Sequence, residues 1–426
     1  MKKTTSLIAA FLVAMSVSAA VIVETNWQLS AATVPSTIPV WVGTGNLCRG
    51  LAYGKMGANE RVFVISREGG NLVHILNAST GADLGTLPMG TDVVTGSYFV
   101  INDAGMTSDG VLLVGSMALA NGEFKVYRWD TETSTPTLAI SYPAALGRMG
   151  DKITVVGSIT TGTARVYAST ASAVDGKTKI YYFDMEADAA NPGKYKFVQT
   201  PKTLASVTTC TSNPAIGLKS NGDFYFKGGG TQISSYTSAG VLGTESSSTI
   251  VGSSGNTPRY IGKDALNNEY ICYFRNGATK EKLNILKLPN GDLSLATVVD
   301  STAALGVNAN GNGTSGVVVN VLPNNDVELF VLSTNNGIGK YTVKGLFTST
   351  GLNDLSNNNV NVIYLKSTIS VEGTRVSSIE LYNSLGQKVK SVLNSNELKT
   401  DNLKGVYIVQ IKAEGKIVKT TKVSIR

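Results

Sequence analysis

One local pattern recurs along most of this chain: a short run of β-branched and aromatic residues, a tight turn, a second such run, then a loop. Arg61-Val-Phe-Val-Ile-Ser is followed by Leu72-Val-His-Ile-Leu-Asn and the turn Ala78–Gly81. The pattern returns as Gly110-Val-Leu-Leu-Val-Gly with Phe124-Lys-Val-Tyr-Arg-Trp-Asp, and as Asp151-Lys-Ile-Thr-Val-Val-Gly with Lys179-Ile-Tyr-Tyr-Phe-Asp. It continues as Gly222-Asp-Phe-Tyr-Phe-Lys with Gln232-Ile-Ser-Ser-Tyr, and as Asn268-Glu-Tyr-Ile-Cys-Tyr-Phe with Leu283-Asn-Ile-Leu-Lys-Leu. Its last instance is Asp326-Val-Glu-Leu-Phe-Val-Leu with Gly339-Lys-Tyr-Thr-Val. Short runs of such residues bounded by Gly and Asn read as strands. A hairpin unit repeating every ~45–65 residues reads as the blade of a β-propeller, in which sheets stacked radially cover one another's faces. About six blades are expected, within a range of five to seven. A pair of β-sandwiches would show similar strands, but the regular repeat with a hairpin at its centre favours the propeller. No long amphipathic helix interrupts the body. The fold class is all-β, in keeping with 45 Gly among 426 residues, since Gly reaches turn conformations at low cost. Ile38-Pro-Val-Trp-Val is expected to close the ring by pairing with the last blade.

The ends of the chain differ from its body. Met1-Lys-Lys, an apolar run from Ser6 to Val17 and the small residues Ser18, Ala19 and Ala20 have the three parts of a cleavable secretory signal. Cleavage is expected near Ala19, leaving no stable transmembrane segment in the mature chain. The expected organisation is a signal over 1–19, a leader over 20–36, a propeller over 37–350, a polar linker over 351–359 and a small Ig-like β-sandwich over 360–426. The formal charge of +7 is confined to the ends: the signal carries +2, residues 352–426 carry +5, and the body is neutral. A nucleic-acid-binding body would need a basic face, and none is concentrated here. Cys48, Cys210 and Cys272 have no C-x-x-C spacing, and His74 is the one histidine, so no metal site or cofactor is expected. Buried free thiols are expected, with room for one disulfide.

The tail contains Ile379-Glu-Leu-Tyr-Asn-Ser-Leu-Gly-Gln-Lys-Val, Leu403-Lys-Gly-Val-Tyr-Ile-Val-Gln-Ile and Gly415-Lys-Ile-Val-Lys-Thr-Thr-Lys-Val, in that order. It resembles the type A sorting domain of the type IX (Por) secretion system, on Leu381, Tyr382, Gly386, Gly405, Tyr407, Gly415 and Lys416. The Pro-Asn-Pro element that usually opens such domains is replaced by Tyr364-Leu-Lys-Ser-Thr-Ile-Ser-Val-Glu. The resemblance implies export through the periplasm to the cell surface or medium, with the outer-membrane secretion machinery as partner. In the body, Arg49-Gly-Leu-Ala-Tyr through Val73-His-Ile-Leu-Asn and the turn to Gly81 resemble an uncharacterised family of exported Bacteroidetes propeller-like proteins. That family implies fold and location, and no reaction.

No catalytic motif is present. His74 lies mid-strand among apolar residues, a poor setting for a triad base. Asp103, Asp109, Asp151, Asp223 and Asp264 sit in or beside turns at matching stages of successive units, which suits turn capping. Asn308–Gly313 has the spacing of a calcium loop without its carboxylates, and reads as a loose turn. Arg49, Arg148 and Arg259 each stand just ahead of an expected innermost strand, where propeller ligands meet the axial channel. Guanidinium forks there would suit an acidic or hydroxyl-rich ligand. Trp41, Trp129 and the many Tyr could offer stacking faces. The leading expectation is a non-enzymatic surface or secreted protein that binds a glycan or another envelope protein. A glycoside hydrolase or lyase using blade-loop carboxylates is the alternative from another class, and a structural surface protein is the third.

Overall fold

The computed structural model describes residues 21–425, apart from 144, 172–173, 253, 278–280, 348–359, 366, 384 and 414–415. The expected signal over 1–19 and linker over 351–359 lie outside the described residues. The chain divides at Phe347 into two compact units.

The larger unit is a six-bladed propeller of four-stranded antiparallel sheets. Blade 1 comprises Gly50–Met56, Asn59–Ser66, Leu72–Asn77 and Asp83–Thr86; blade 2 comprises Phe99–Met106, Leu112–Met117, Phe124–Trp129 and Thr137–Tyr142. Blade 3 comprises Arg148–Val156, Arg165–Ala171, Thr178–Phe183 and Lys202–Val207; blade 4 comprises Ala215–Leu218, Phe224–Lys227, Ser234–Tyr236 and Leu242–Glu245. Blade 5 comprises Asn256–Lys263, Glu269–Arg275, Lys282–Leu288 and Thr297–Ser301. Blade 6 takes Ser315–Val321, Val327–Ser333 and Gly337–Lys344 from one end of the body, and its outer strand, Ile22–Ser30, from the other. The first strand of each blade lines the axis.

Ring closure therefore falls to Ile22–Ser30, within the expected leader, which pairs antiparallel with Gly337–Lys344 from Ile22↔Lys344 to Ser30↔Gly337. The 38–42 segment does not do it; Val40–Val42 is a single 3-10 turn. The reason is local. Pro39 has no N–H to give a ladder, whereas Ile22-Val-Glu-Thr-Asn-Trp-Gln-Leu-Ser offers an unbroken set of donors.

Each blade junction has its own core, and the two-residue pleat explains how one strand serves two of them. Phe63 and Ile65 pack toward blade 2 against Leu112, Val114, Tyr127 and Trp129. Their neighbours Val62 and Val64 face blade 6 and meet Phe330, Leu332 and Ile338. Strands covered on both faces read as continuous apolar runs, which is why these segments stood out in the sequence. The three cysteines are buried and unpaired.

The smaller unit has two sheets. One pairs Asn361–Leu365, Thr368–Glu372 and Glu397–Lys399; the other orders Lys388–Leu393, Ser378–Tyr382, Gly405–Ala413 and Lys416–Ile425. Ile369, Val371, Ile379, Leu381, Leu398, Val409 and Ile411 fill the space between them, giving an Ig-like sandwich.

Candidate functional site

The polar chemistry of the propeller gathers at the channel mouth where the inner strands begin. Three β-bulges aim it there. The pairing register slips between Phe99 and Asp103 in blade 2, between Met149 and Ile153 in blade 3, and between Asn256 and Arg259 in blade 5. A bulge leaves residues out of the ladder and redirects their side chains. Here the redirected segments hold Asn102, Asp151, Lys152 and Thr257.

Arg49 precedes the inner strand of blade 1 and is 2% exposed. Its guanidinium lies 3.5 Å from Asp151 and 3.4 Å from the amide oxygen of Asn213. Arg148 also grips Asp151 and remains partly open to solvent. Lys152, fully enclosed, donates to the Arg49 carbonyl at 2.7 Å and sits 3.3 Å from Asp103. The other Asp103 oxygen accepts the Ile153 N–H at 2.8 Å. Burial pushes the Asp103 carboxyl up and the Lys152 ammonium down, each against the pull of its partner. Asn102 clamps the blade 3 bulge by donating to the carbonyls of Gly150 and Asp151 at 2.9 and 3.0 Å.

Arg67, which follows the second strand of blade 1, joins this group. Its guanidinium carbon sits over Phe99, 3.4 Å from the ring centroid, and that of Arg49 approaches the same ring at 5.6 Å. Burial and the neighbouring Arg49 charge hold Arg67 down at about 10. Tyr98, 59% exposed, stands beside Phe99 with ring centroids 4.7 Å apart. Several buried polar atoms here have no protein partner: Nε of Arg49, Arg67 and Arg148, Oδ2 of Asp151 and Oδ1 of Asn102.

Blades 4 to 6 line the other half of the mouth with uncharged residues, behind which the buried Glu281 carboxylate accepts from Gly277 N–H, Asn310 and Ser333. Asn213 donates to the Asn312 carbonyl at 2.6 Å, and the Asn256 amide oxygen accepts from Thr257 and Ser315 at 2.7 and 2.5 Å. Asn213, Gly255, Asn256, Asn276, Asn312 and Gly313 border a cavity of about 170 Å³. The amide oxygen of Asn276 is buried there without a partner.

Arg259 does not belong to this mouth. It lies inside its strand, beyond the bulge, and donates across the channel to the carbonyls of Ile216 at 2.9 Å and Val317 at 3.0 Å. It borders a second cavity, about 220 Å³, at the opposite end, among Tyr53, Met106, Val155, Leu218 and Tyr260. Of the three arginines read from the sequence, the fold brings Arg49 and Arg148 together on one carboxylate and sets Arg259 deeper in the channel, still within electrostatic reach of Asp103 and Lys152.

Other expectations need correction. Asp103 and Asp151 are not turn caps but buried inner-strand residues held by cations. Asp109, Asp223 and Asp264 do cap turns, accepting from the backbone of Thr160, Ser238 and Leu266. Trp129 is fully buried and offers no face, and Trp41 is half-buried with one face stacked on His74 at 4.1 Å. His74 is packed, and burial lowers its pKa. The 308–313 segment is pinned rather than loose: Asn310 donates to Glu281 at 3.1 Å and accepts the Thr314 N–H at 3.0 Å. Among the described residues, no three His, Cys, Asp or Glu are placed to hold a metal.

In the tail, Leu381 is buried, and the Tyr382 hydroxyl donates to Glu380 at 2.6 Å. Gly386 and Gly405 have φ of +75° and +119°, and the Tyr407 hydroxyl donates to the Lys404 carbonyl at 3.1 Å. Lys416 opens the last strand, and Gly415 lies outside the described residues.

No family model matches the chain, and no curated protein matches it. Among solved structures, a DUF4623 family protein from Bacteroides eggerthii is similar at 16% identity and a TM-score of 0.52, over 72% of this chain and 73% of that one. A PQQ-bound aldose sugar dehydrogenase from Streptomyces coelicolor aligns at 13% identity and a TM-score of 0.42, over 76% and 98% of the two chains. SapL1 lectin in complex with alpha methyl fucoside aligns at 13% and 0.44, over 71% and 95%. Likeness at such identity concerns the fold alone. No helix among the described residues is long and apolar enough to cross a membrane.

Proposed function

We propose that this chain is an exported, non-catalytic binding protein whose propeller receives a hydroxyl-rich ligand, a glycan or a saccharide-bearing envelope component, at the mouth where its inner strands begin. The observation that carries the reading is the partly open pair Arg67 and Arg148 together with a cavity of about 170 Å³ where the Asn276 amide oxygen has no protein partner. Leaving such a group unsatisfied costs roughly 1–3 kcal/mol, and a ligand with hydroxyls can both donate and accept. Binding is favoured over hydrolysis because Asp103 and Asp151 are held by cations and Asp109, Asp223 and Asp264 by turns. A glycosidase needs two acids free to exchange protons across a bond.

The test is a glycan array probed with the full chain, paired with a reducing-sugar release assay on every hit. Binding without release is expected, and product release would overturn the non-catalytic reading. The tail is proposed as the address read by the outer-membrane type IX machinery, taking the protein through the periplasm to the surface or medium. Residues 360–426 fused to a periplasmic reporter should carry it out of a bacterium that has this system; a reporter that stays in the periplasm would refute the address.

A further inference from the structure

We infer that the ligand of this mouth is an acidic saccharide, whose oxyanion is taken by Arg67 and Arg148 while its hydroxyls meet the amide-lined half of the same opening. The inference rests on the binding reading above and names its ligand class.

Charge is the first argument. Arg49, Arg67, Arg148 and Lys152 converge, and among the described residues the carboxylates that ion-pair with them are those of Asp103 and Asp151, Glu281 being linked to the group only through Asn310, Thr314 and Asn213. Both carboxylates are already committed: Asp103 to Lys152, and Asp151 to Arg49 and Arg148. Arg67 has no carboxylate within reach among the described residues, and its guanidinium face is covered by Phe99 instead. Stacking on an aromatic face leaves the in-plane N–H groups of a guanidinium free, and that edge matches a carboxylate or sulfate. The cluster thus holds a positive charge that the protein does not neutralise.

Shape and polarity supply the second argument, because the mouth is divided. Blades 1 to 3 present the cations and the exposed ring of Tyr98. The cavity of about 170 Å³ in blades 4 to 6 is lined by uncharged amides, serines and glycine backbone. A bare phosphate or sulfate would leave that second half unused. A sugar ring carrying an acid group uses both, since its hydroxyls can donate to the unpartnered Asn276 oxygen while its acid faces the guanidiniums. Asn213 joins the halves, accepting from Arg49 at 3.4 Å and bordering the cavity. Tyr98 offers the apolar face of the ring a stacking surface.

The experiment uses the full chain on an array that presents uronate-containing, sialylated and sulfated glycans, each beside its neutral counterpart. The best hit is then titrated against wild type and Arg67→Gln at 50 and 300 mM NaCl. Acidic glycans alone should be retained, with the uronate and sulfate arms telling which oxyanion is preferred. Arg67→Gln should weaken the acidic hit about tenfold or more, as expected on losing charge-assisted hydrogen bonds, and high salt should weaken wild-type binding. Arg67 is half-buried on the surface, and an unchanged melting temperature would show the variant folded. Equal retention of neutral counterparts, or salt-independent binding untouched by Arg67→Gln, would overturn the acidic class and leave glycan binding standing. Retention of no glycan of either kind would overturn the binding reading itself.

Discussion

Replacing Lys152 by Met should destabilise the propeller by about 3–5 kcal/mol, the cost of removing one partner from a buried ion pair. The ammonium is 3% exposed, Asp103 is 2% exposed, and they meet at 3.3 Å. Methionine fills a similar volume, so the loss is electrostatic. The Asp103 carboxylate keeps the Ile153 N–H but loses its near cation, and the Arg49 carbonyl loses a donor at 2.7 Å. Adding Asp103→Asn removes the stranded charge. The double variant should recover about 2–4 kcal/mol of the deficit, while about 1 kcal/mol stays lost through the carbonyl. Urea unfolding followed by tryptophan fluorescence isolates the effect. All three tryptophans, Trp27, Trp41 and Trp129, lie in the propeller and none in the tail. A Lys152→Met variant within about 1 kcal/mol of wild type, or a double variant no more stable than the single, would refute the pairing.

Two further outcomes are expected. Lys227 is buried with only the carbonyls of Thr231 and Gly252 as partners, and burial pulls it down to about 8. A lowered base releases its proton in the folded state first, so the unfolded chain binds more protons between about pH 8 and the ordinary lysine value near 10.4. Lys227 alone should therefore add about 1–2 kcal/mol from pH 7.5 to 9.5, read as the stability of wild type minus that of Lys227→Met at each pH, because the buried thiols of Cys48, Cys210 and Cys272 act in the opposite direction in both proteins; a difference that does not change with pH would contradict this. Gly316 faces blade 1 so closely that an added Cβ would stand 2.5 Å from Leu51 Cβ and 3.1 Å from its backbone nitrogen. Gly316→Ala should cost about 1–3 kcal/mol by wedging blades 6 and 1 apart, read by the same denaturation curve.

The architecture was legible because burial on both faces makes apolar runs that survive without context. Arg49 and Arg148 were legible for a related reason, each being a charge set against the start of such a run. Arg67 was missed although pairing alone could have found it. In a blade the second strand returns antiparallel to the first, so the residue leaving it comes back to the mouth. Here Gly50 faces Ile65, and Arg67 donates its N–H to the Leu47 carbonyl. The closing strand was missed because it directly follows the expected signal and was assigned to a short polar leader over 20–36.

Asp151 was misplaced for a deeper reason. Its position depends on a bulge, and a bulge is set by the neighbouring blade rather than by local preference. One residue marks it in the sequence, Gly150, at φ +91°. A Cβ there would lie 2.1 Å from the Ser116 carbonyl of blade 2 and 2.7 Å from the Phe124 ring. The same peptide offers its carbonyl to Asn102. The glycine that lets blade 3 approach blade 2 is thus the one that turns Asp151 inward to meet Arg49 and Arg148. Blade packing and the charged half of the mouth hang on a single backbone position, so a side chain at Gly150 should disturb both together. That is why reading acids by their place in the repeat put Asp151 with the turn caps: the repeat records what the blades share, and the mouth is made where one blade departs from it.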